Sequence, residues 1–151
     1  MYRFALVLLL AIVLGATSTG ATSTAIGNVP LLQHRVLGFL TYLPEDYQSV
    51  TPVFVKERLD AKDLPLIIDV REPSEFAQGH IEGALNVPIR TIAQNLHRLP
   101  ASRSTEIITV CPSGFRSAKV TMALSLLGYT NVKTMVLGMR EWNARGFPVV
   151  R

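Results

Sequence analysis

"TEIITVCPSGFRSAKVTMALSLLGYTNVKTMV", Thr105 to Val136, decides the fold class. It opens on a short, continuously apolar run, passes a glycine-containing polar loop, and enters a stretch with apolar residues at helical spacing. Val120, Ala123, Leu124 and Leu127 share one face of that stretch, and Gly128 stands where a helix needs a left-handed residue to stop. "NVKTMV" then reads as a second buried strand. A strand buried on both faces, a helix and another such strand form the repeating unit of a parallel α/β sheet.

The same alternation extends upstream. "TPVFVKERLDAKD" reads as a short helix capped by Thr51, with Pro52 at its first position and Val53 and Leu59 toward a core. "LPLIIDV" is a strand, "REPSEFAQGHIEG" a polar segment capped by Ser74, and "ALNVP" another short strand. "TIAQNLHRLP" places Ile92, Leu96 and Leu99 on one helical face and stops at Pro100. Downstream, "GMREWNARG" is a helix of one or two turns with Met139 and Trp142 three apart. Residues 26–50 show no firm period and read as a connecting arm ahead of a domain over 51–151.

With 151 residues there is room for one domain. The 48% hydrophobic and 17% charged content fits a packed core. The net charge of +4 comes from basic residues scattered along the chain without a run, which argues against nucleic acid as a partner. "MYR" followed by the apolar "FALVLLLAIVL" and the small residues of "GATSTGATSTAIG" reads as an export signal over 1–25. An uncleaved membrane anchor is the alternative, since no charged side chain lies between Arg3 and Arg35. Either way the expected location is periplasmic or otherwise extracytoplasmic.

An exported chain with a single cysteine cannot form an internal disulfide, and Cys111 is the only one. It falls one residue beyond a strand and just before a helix, the edge where parallel sheets bind ligands. A loop of about six residues curling back into a helix turns several backbone N–H groups inward, a nest for an anion. Gly114 permits the tight turn and Arg116 adds a positive charge. A thiol there is expected to ionise easily and act as a nucleophile.

These residues carry a resemblance. "CPSGFRSA" resembles the active-site loop of the rhodanese family, whose usual form is C-x-x-G-x-R-S. "LIIDVREPSEFAQGHIEGALNVPI", Leu66 to Ile89, is similar to that family's first signature, and "LGMREWNARGFPV" to its closing segment. The resemblance implies a three-layer rhodanese-like α/β fold with a central parallel sheet of about five strands. It also implies sulfurtransferase activity without a metal or organic cofactor. Cys111 as thiolate takes the outer sulfur of a small anionic donor such as thiosulfate. It then passes that sulfur from a persulfide to a thiol, cyanide or protein acceptor. Pro112, Ser113, Gly114, Phe115, Arg116 and Ser117 would line the donor and persulfide, with Asp69 and Arg71 in structural support.

Pro112 and Phe115 depart from thiosulfate-preferring relatives, which bears on the natural donor. Gly138-Met139 stands where many relatives have two glycines, a difference of packing. A phosphatase built on the same fold uses a loop one residue longer than the four residues separating Cys111 from Arg116. A persulfide carrier or redox sensor would use the same cysteine without small-molecule turnover. His80 reads as scaffold, His34 and His97 as surface residues, and Trp142 as core. Glu72 and Glu75 read as loop residues, with Glu75 a candidate partner for Arg71.

Overall fold

A computed structural model describes residues 29–151. The segment read as an export signal, and the start of the arm, lie outside them. Five parallel strands form one sheet in the order β1-β5-β4-β2-β3: β1 Ser49–Val50, β2 Leu66–Asp69, β3 Leu85–Asn86, β4 Ile107–Val110 and β5 Val132–Met135. The two central strands, "LIID" and "IITV", are almost wholly buried. Covering both faces of a sheet removes the polar positions that an open face would require.

The strand pleat divides the core in two. Ile68, Ile107 and Val132 pack on one face with Val120 and Leu124 of α4 (Phe115–Leu126) and with Val87, Leu99 and Tyr129. Ile67, Ile108, Val110 and Met135 pack on the other with Val55 of α2 (Pro52–Asp60) and Met139 and Trp142 of α5 (Gly138–Ala144). The molecule therefore has the helix–sheet–helix layering that the sequence implies, with five strands.

Sequence signals place several helix ends where they occur. Thr51 accepts from the Phe54 N–H at 3.1 Å and Pro52 stands at the first helical position. Gly128, at φ +95°, ends α4: its N–H reaches Ser125 O at 2.9 Å, and that of Tyr129 reaches Leu124 O at 3.0 Å. These two bonds satisfy carbonyls that a helix end leaves open.

Other local expectations change. Residues 29–50 are not only a connection: they contain α1 (Val29–Thr41) and the edge strand β1. α1 has no period to read because its leucines point all round; Leu31, Leu32, Leu37 and Leu40 are exposed. The helix is fastened where Arg35 donates to Leu126 O at 2.9 Å, at the carbonyl end of α4. β1 is two residues long, too short for a pattern, and follows a turn in which Tyr47 and Gln48 both take positive φ. In α2 it is Val55, not Val53, that is buried. Residues 92–98 form a 3₁₀ helix broken at Asn95 rather than an α-helix. Ala123 and Leu127 of the α4 stretch face outward.

Candidate active site

β4 ends at Val110, and Cys111 follows at its carboxyl edge, fully buried. The chain then turns through Pro112 and Ser113 to Gly114, which caps α4 at φ +95°, left-handed backbone that glycine adopts without strain. The turn brings the Gly114 N–H to 3.1 Å from Cys111 Sγ and the Ser117 hydroxyl to 3.5 Å. Burial by itself would push the thiol pKa up. The Ser117 hydroxyl and the backbone N–H groups of Ser117, Ser113 and Arg116 outweigh it and hold the pKa below the ordinary thiol value. The twelve-residue α4 adds the positive end of its dipole.

Sγ lies beneath its own loop, shielded from solvent. Outside the loop runs a groove of about 390 Å³ bordered by Ser113, Phe115, Leu137 and Arg140. Phe115 is 78% exposed on this rim. A second cavity, about 380 Å³, lies behind α5 among Leu59, Ile81, Trp142 and Pro148 and contains no residue of the loop.

α5 fixes the loop from below. Its first-turn amides, which no residue inside the helix can satisfy, donate to the loop carbonyls: Met139 N to Cys111 O at 2.9 Å and Arg140 N to Pro112 O at 3.0 Å. This close approach requires Gly138. A Cβ there would stand 2.0 Å from Cys111 O and 2.7 Å from the Pro112 carbonyl carbon. The sequence marks Gly138 only as part of a packed segment; its direct contact with the cysteine loop was not legible. Pro112, which lacks an N–H, contributes its carbonyl instead.

The ion pairs also sort differently from the sequence reading. Arg71 is buried against Asp69, with Nη2–Oδ2 at 2.6 Å and Nε–Oδ2 at 2.8 Å, and donates to Gly79 O. Asn86 ties the same corner by donating to Asp69 O and Arg71 O. Glu75 does not join this pair. It belongs to α3 (Pro73–Ala77), whose cap is Glu72 rather than Ser74, and its two oxygens meet Arg116 at 2.6 and 2.7 Å. The Arg116 guanidinium holds the Glu75 carboxyl below the usual carboxylate range, and Glu75 raises Arg116 in turn. Arg116 thus stands beside the thiol with its fork already occupied.

A set of buried hydroxyls underlies the loop. Ser117 Oγ lies 2.6 Å from Thr134 Oγ1 of β5 and 3.1 Å from Gly114 O. Thr109 Oγ1 lies 2.8 Å from Thr121 Oγ1 and donates to Ser117 O at 3.2 Å. His80 stacks on Phe76 with ring centroids 3.6 Å apart and makes no contact with Cys111, while His34 and His97 are exposed. Trp142 is core, its Nε1 donating to Pro148 O at 2.9 Å.

Residues 51–145 match the family model described as the rhodanese-like domain. The chain is 40% identical over 91 residues to thiosulfate sulfurtransferase 16, chloroplastic, of Arabidopsis thaliana, covering 54% of this chain and 76% of that protein. It is 32% identical over 96 residues to a sulfurtransferase of Allochromatium vinosum, covering 64% and 88%. Among solved structures, a rhodanese-related protein from Thermoplasma volcanium superposes with a TM-score of 0.61 at 32% identity, over 69% of this chain and 98% of that one.

Proposed function

This chain belongs to the rhodanese family, and from that premise we propose that it is a sulfurtransferase that carries sulfur on Cys111. Relatives support sulfur transfer in general; the donor, the acceptor and the residue roles are our reading. The Cys111 thiolate attacks the outer sulfur of thiosulfate or a similar donor. The donor S–S bond breaks and sulfite leaves with its electron pair, so Cys111 holds a persulfide. An acceptor thiol or cyanide then attacks the outer sulfur, and Cys111 leaves as thiolate. Backbone N–H groups of Ser113, Gly114, Arg116 and Ser117 face the sulfur and stabilise its charge, as donors do in an oxyanion hole.

One observation carries this reading. The sole thiol lies in a nest of amide donors at a helix start, with a hydroxyl 3.5 Å away and a lowered pKa. Asp69 and Arg71 close on each other and on backbone, which supports a scaffold role. Gly114 shapes the turn. Pro112 and Ser113 form the loop wall.

A partner-specific persulfide carrier is the second reading, favoured by the rim. Arg116 is already forked to Glu75, and exposed Phe115 and Leu137 border the approach, a surface better matched to an apolar acceptor than to a bare anion. Intact mass before and after thiosulfate, on wild type and Cys111→Ser, tests both. We expect one added sulfur on wild type only, released by cyanide as thiocyanate. Loading by a persulfide but not by thiosulfate moves the donor class. No loading from any donor would defeat sulfur transfer by this chain. We further propose that residues 1–25 direct export; the mass of the protein recovered from fractionated cells tests this. A shortened chain outside the cytoplasm is the expected result, and a full-length soluble cytoplasmic chain would overturn it.

A further inference from the structure

We propose that Thr134 is a positioning residue: it orients the Ser117 hydroxyl so that its hydrogen points at Cys111 Sγ. The inference rests on the proposed sulfur chemistry for its consequence but not for its geometry.

Counting hydrogens decides the orientation. Ser117 has one hydroxyl hydrogen and three neighbours that can take it: Sγ at 3.5 Å, Gly114 O at 3.1 Å and Thr134 Oγ1 at 2.6 Å. Thr134 is buried, and its hydroxyl has no other hydrogen-bond partner among the described residues. If Ser117 donated to Thr134, the threonine hydrogen would be left without an acceptor and the thiolate without a hydroxyl. An unmade buried bond of this kind is costly. If Thr134 donates to Ser117, both hydrogens are placed. Ser117 is then confined to two acceptors, the sulfur and Gly114 O.

Those two acceptors make the hydroxyl responsive. A thiolate attracts the hydrogen more strongly than a neutral carbonyl does. The inner sulfur of a persulfide is bonded twice and holds it less well, so the hydrogen turns to Gly114 O. When the acceptor attacks the outer sulfur, the S–S bond breaks and its electron pair returns to Sγ. The hydrogen then swings back to the leaving thiolate. Thr134 therefore favours departure of Cys111 without touching donor or acceptor.

Charged groups around the site do not substitute for it. Arg116 of α4 faces the thiol but is forked to Glu75, and Glu72 of α3 sits by Arg90. Asp69 and Arg71 close on each other at the end of β2, Lys133 of β5 pairs with Asp46, and Glu141 of α5 pairs with Arg145. Arg140 of α5 is exposed at the groove. None of these charged side chains hydrogen-bonds to Sγ, Ser117 Oγ or Thr134 Oγ1.

The test is a pH titration of the ultraviolet absorbance of the Cys111 thiolate, with Cys111→Ser as blank, on the purified chain. It needs no sulfur donor, so its outcome is independent of whether thiosulfate loads the protein. Thr134→Val removes the hydroxyl at constant shape, and Thr134→Ser keeps it. We expect Thr134→Val to lower the ionisation constant of Cys111 about fivefold, the worth of one ordinary hydrogen bond, and Thr134→Ser to titrate as wild type. In a Ser117→Ala background, adding Thr134→Val should change nothing further. Thr134→Ala carries the same expectation and serves if the valine variant does not fold. The proposal is overturned if the hydroxyl-free variants titrate as wild type. A shift of the same size in Thr134→Ser, or one that persists without Ser117, overturns it as well.

Discussion

At the scale of single residues, the site depends on two glycines that do different work. Gly114 bends the chain so that its own N–H meets the sulfur, and Gly138 lets α5 approach the loop. Gly138→Ala forces a Cβ to 2.0 Å from a backbone oxygen that cannot move aside without displacing Cys111. It should cost at least ~3 kcal/mol. Gly114→Ala meets Val136 Cα at 3.3 Å and pays left-handed backbone strain, roughly 1–2 kcal/mol. Urea denaturation of both variants checks the order; a milder Gly138→Ala would contradict the close packing of α5 on the loop. Cys111, Gly114 and Ser117 were legible from sequence because a lone cysteine, a turn glycine and a helix start lie within seven residues. Thr134 and Gly138 were not. Their roles depend on contacts between segments more than fifteen positions apart, which no local pattern encodes.

At the scale of elements, α3 and α4 are joined across the mouth of the loop by Glu75 and Arg116. The Glu75 pKa is depressed by Arg116, so the pair contributes its stability above the ordinary carboxyl value of 4.5 and loses it as pH falls through the lower folded value. Both side chains are about a third exposed, so solvent limits the contribution to roughly 0.5–1 kcal/mol. Glu75→Gln should therefore lie below wild type by a constant amount above pH 4.5, with the two curves converging in more acid solution. Thermal melts from pH 3 to 7 measure this; a gap that widens in acid would contradict the pairing. The sequence placed Glu75 on a loop near Arg71 because "REPSEF" is polar and short. The glutamate actually stands at the third position of a one-turn helix, and Arg71 is taken up by Asp69 two residues away. Strands β2 to β5 and the helices α2, α4 and α5 were legible from apolar runs and caps. The all-round apolar α1 and the two-residue β1 gave no period to detect.

At the scale of the whole molecule, α5 links the two halves of the structure. Trp142 fills the core beneath the sheet while the first turn of the same helix supports the cysteine loop. Trp142→Phe leaves Pro148 O without its donor and should cost about 1–3 kcal/mol. Trp142→Ala should cost more, about 3–5 kcal/mol. As Trp142 is the only tryptophan, its emission reports whether α5 is docked. We expect the emission shift and the loss of far-ultraviolet circular dichroism to share one midpoint in denaturant. Separate midpoints would mean that α5 can leave the sheet while the rest stays folded.

The pairing of β1 with β5, Ser49 with Thr134 and Val50 with Met135, joins the first strand of the sheet to the last. A nascent chain emerging in order cannot close such a sheet until β5 is free, and contacts of this range form slowly. Thr134 and the α5 amides belong to the same late portion. Until they arrive, Cys111 lacks both the hydroxyl partner of Ser117 and the floor of its loop. It then has the chemistry of any unfolded cysteine. The nest around the sulfur is therefore complete only once β5 and α5 have docked, and a chain cut before Val132 lacks it.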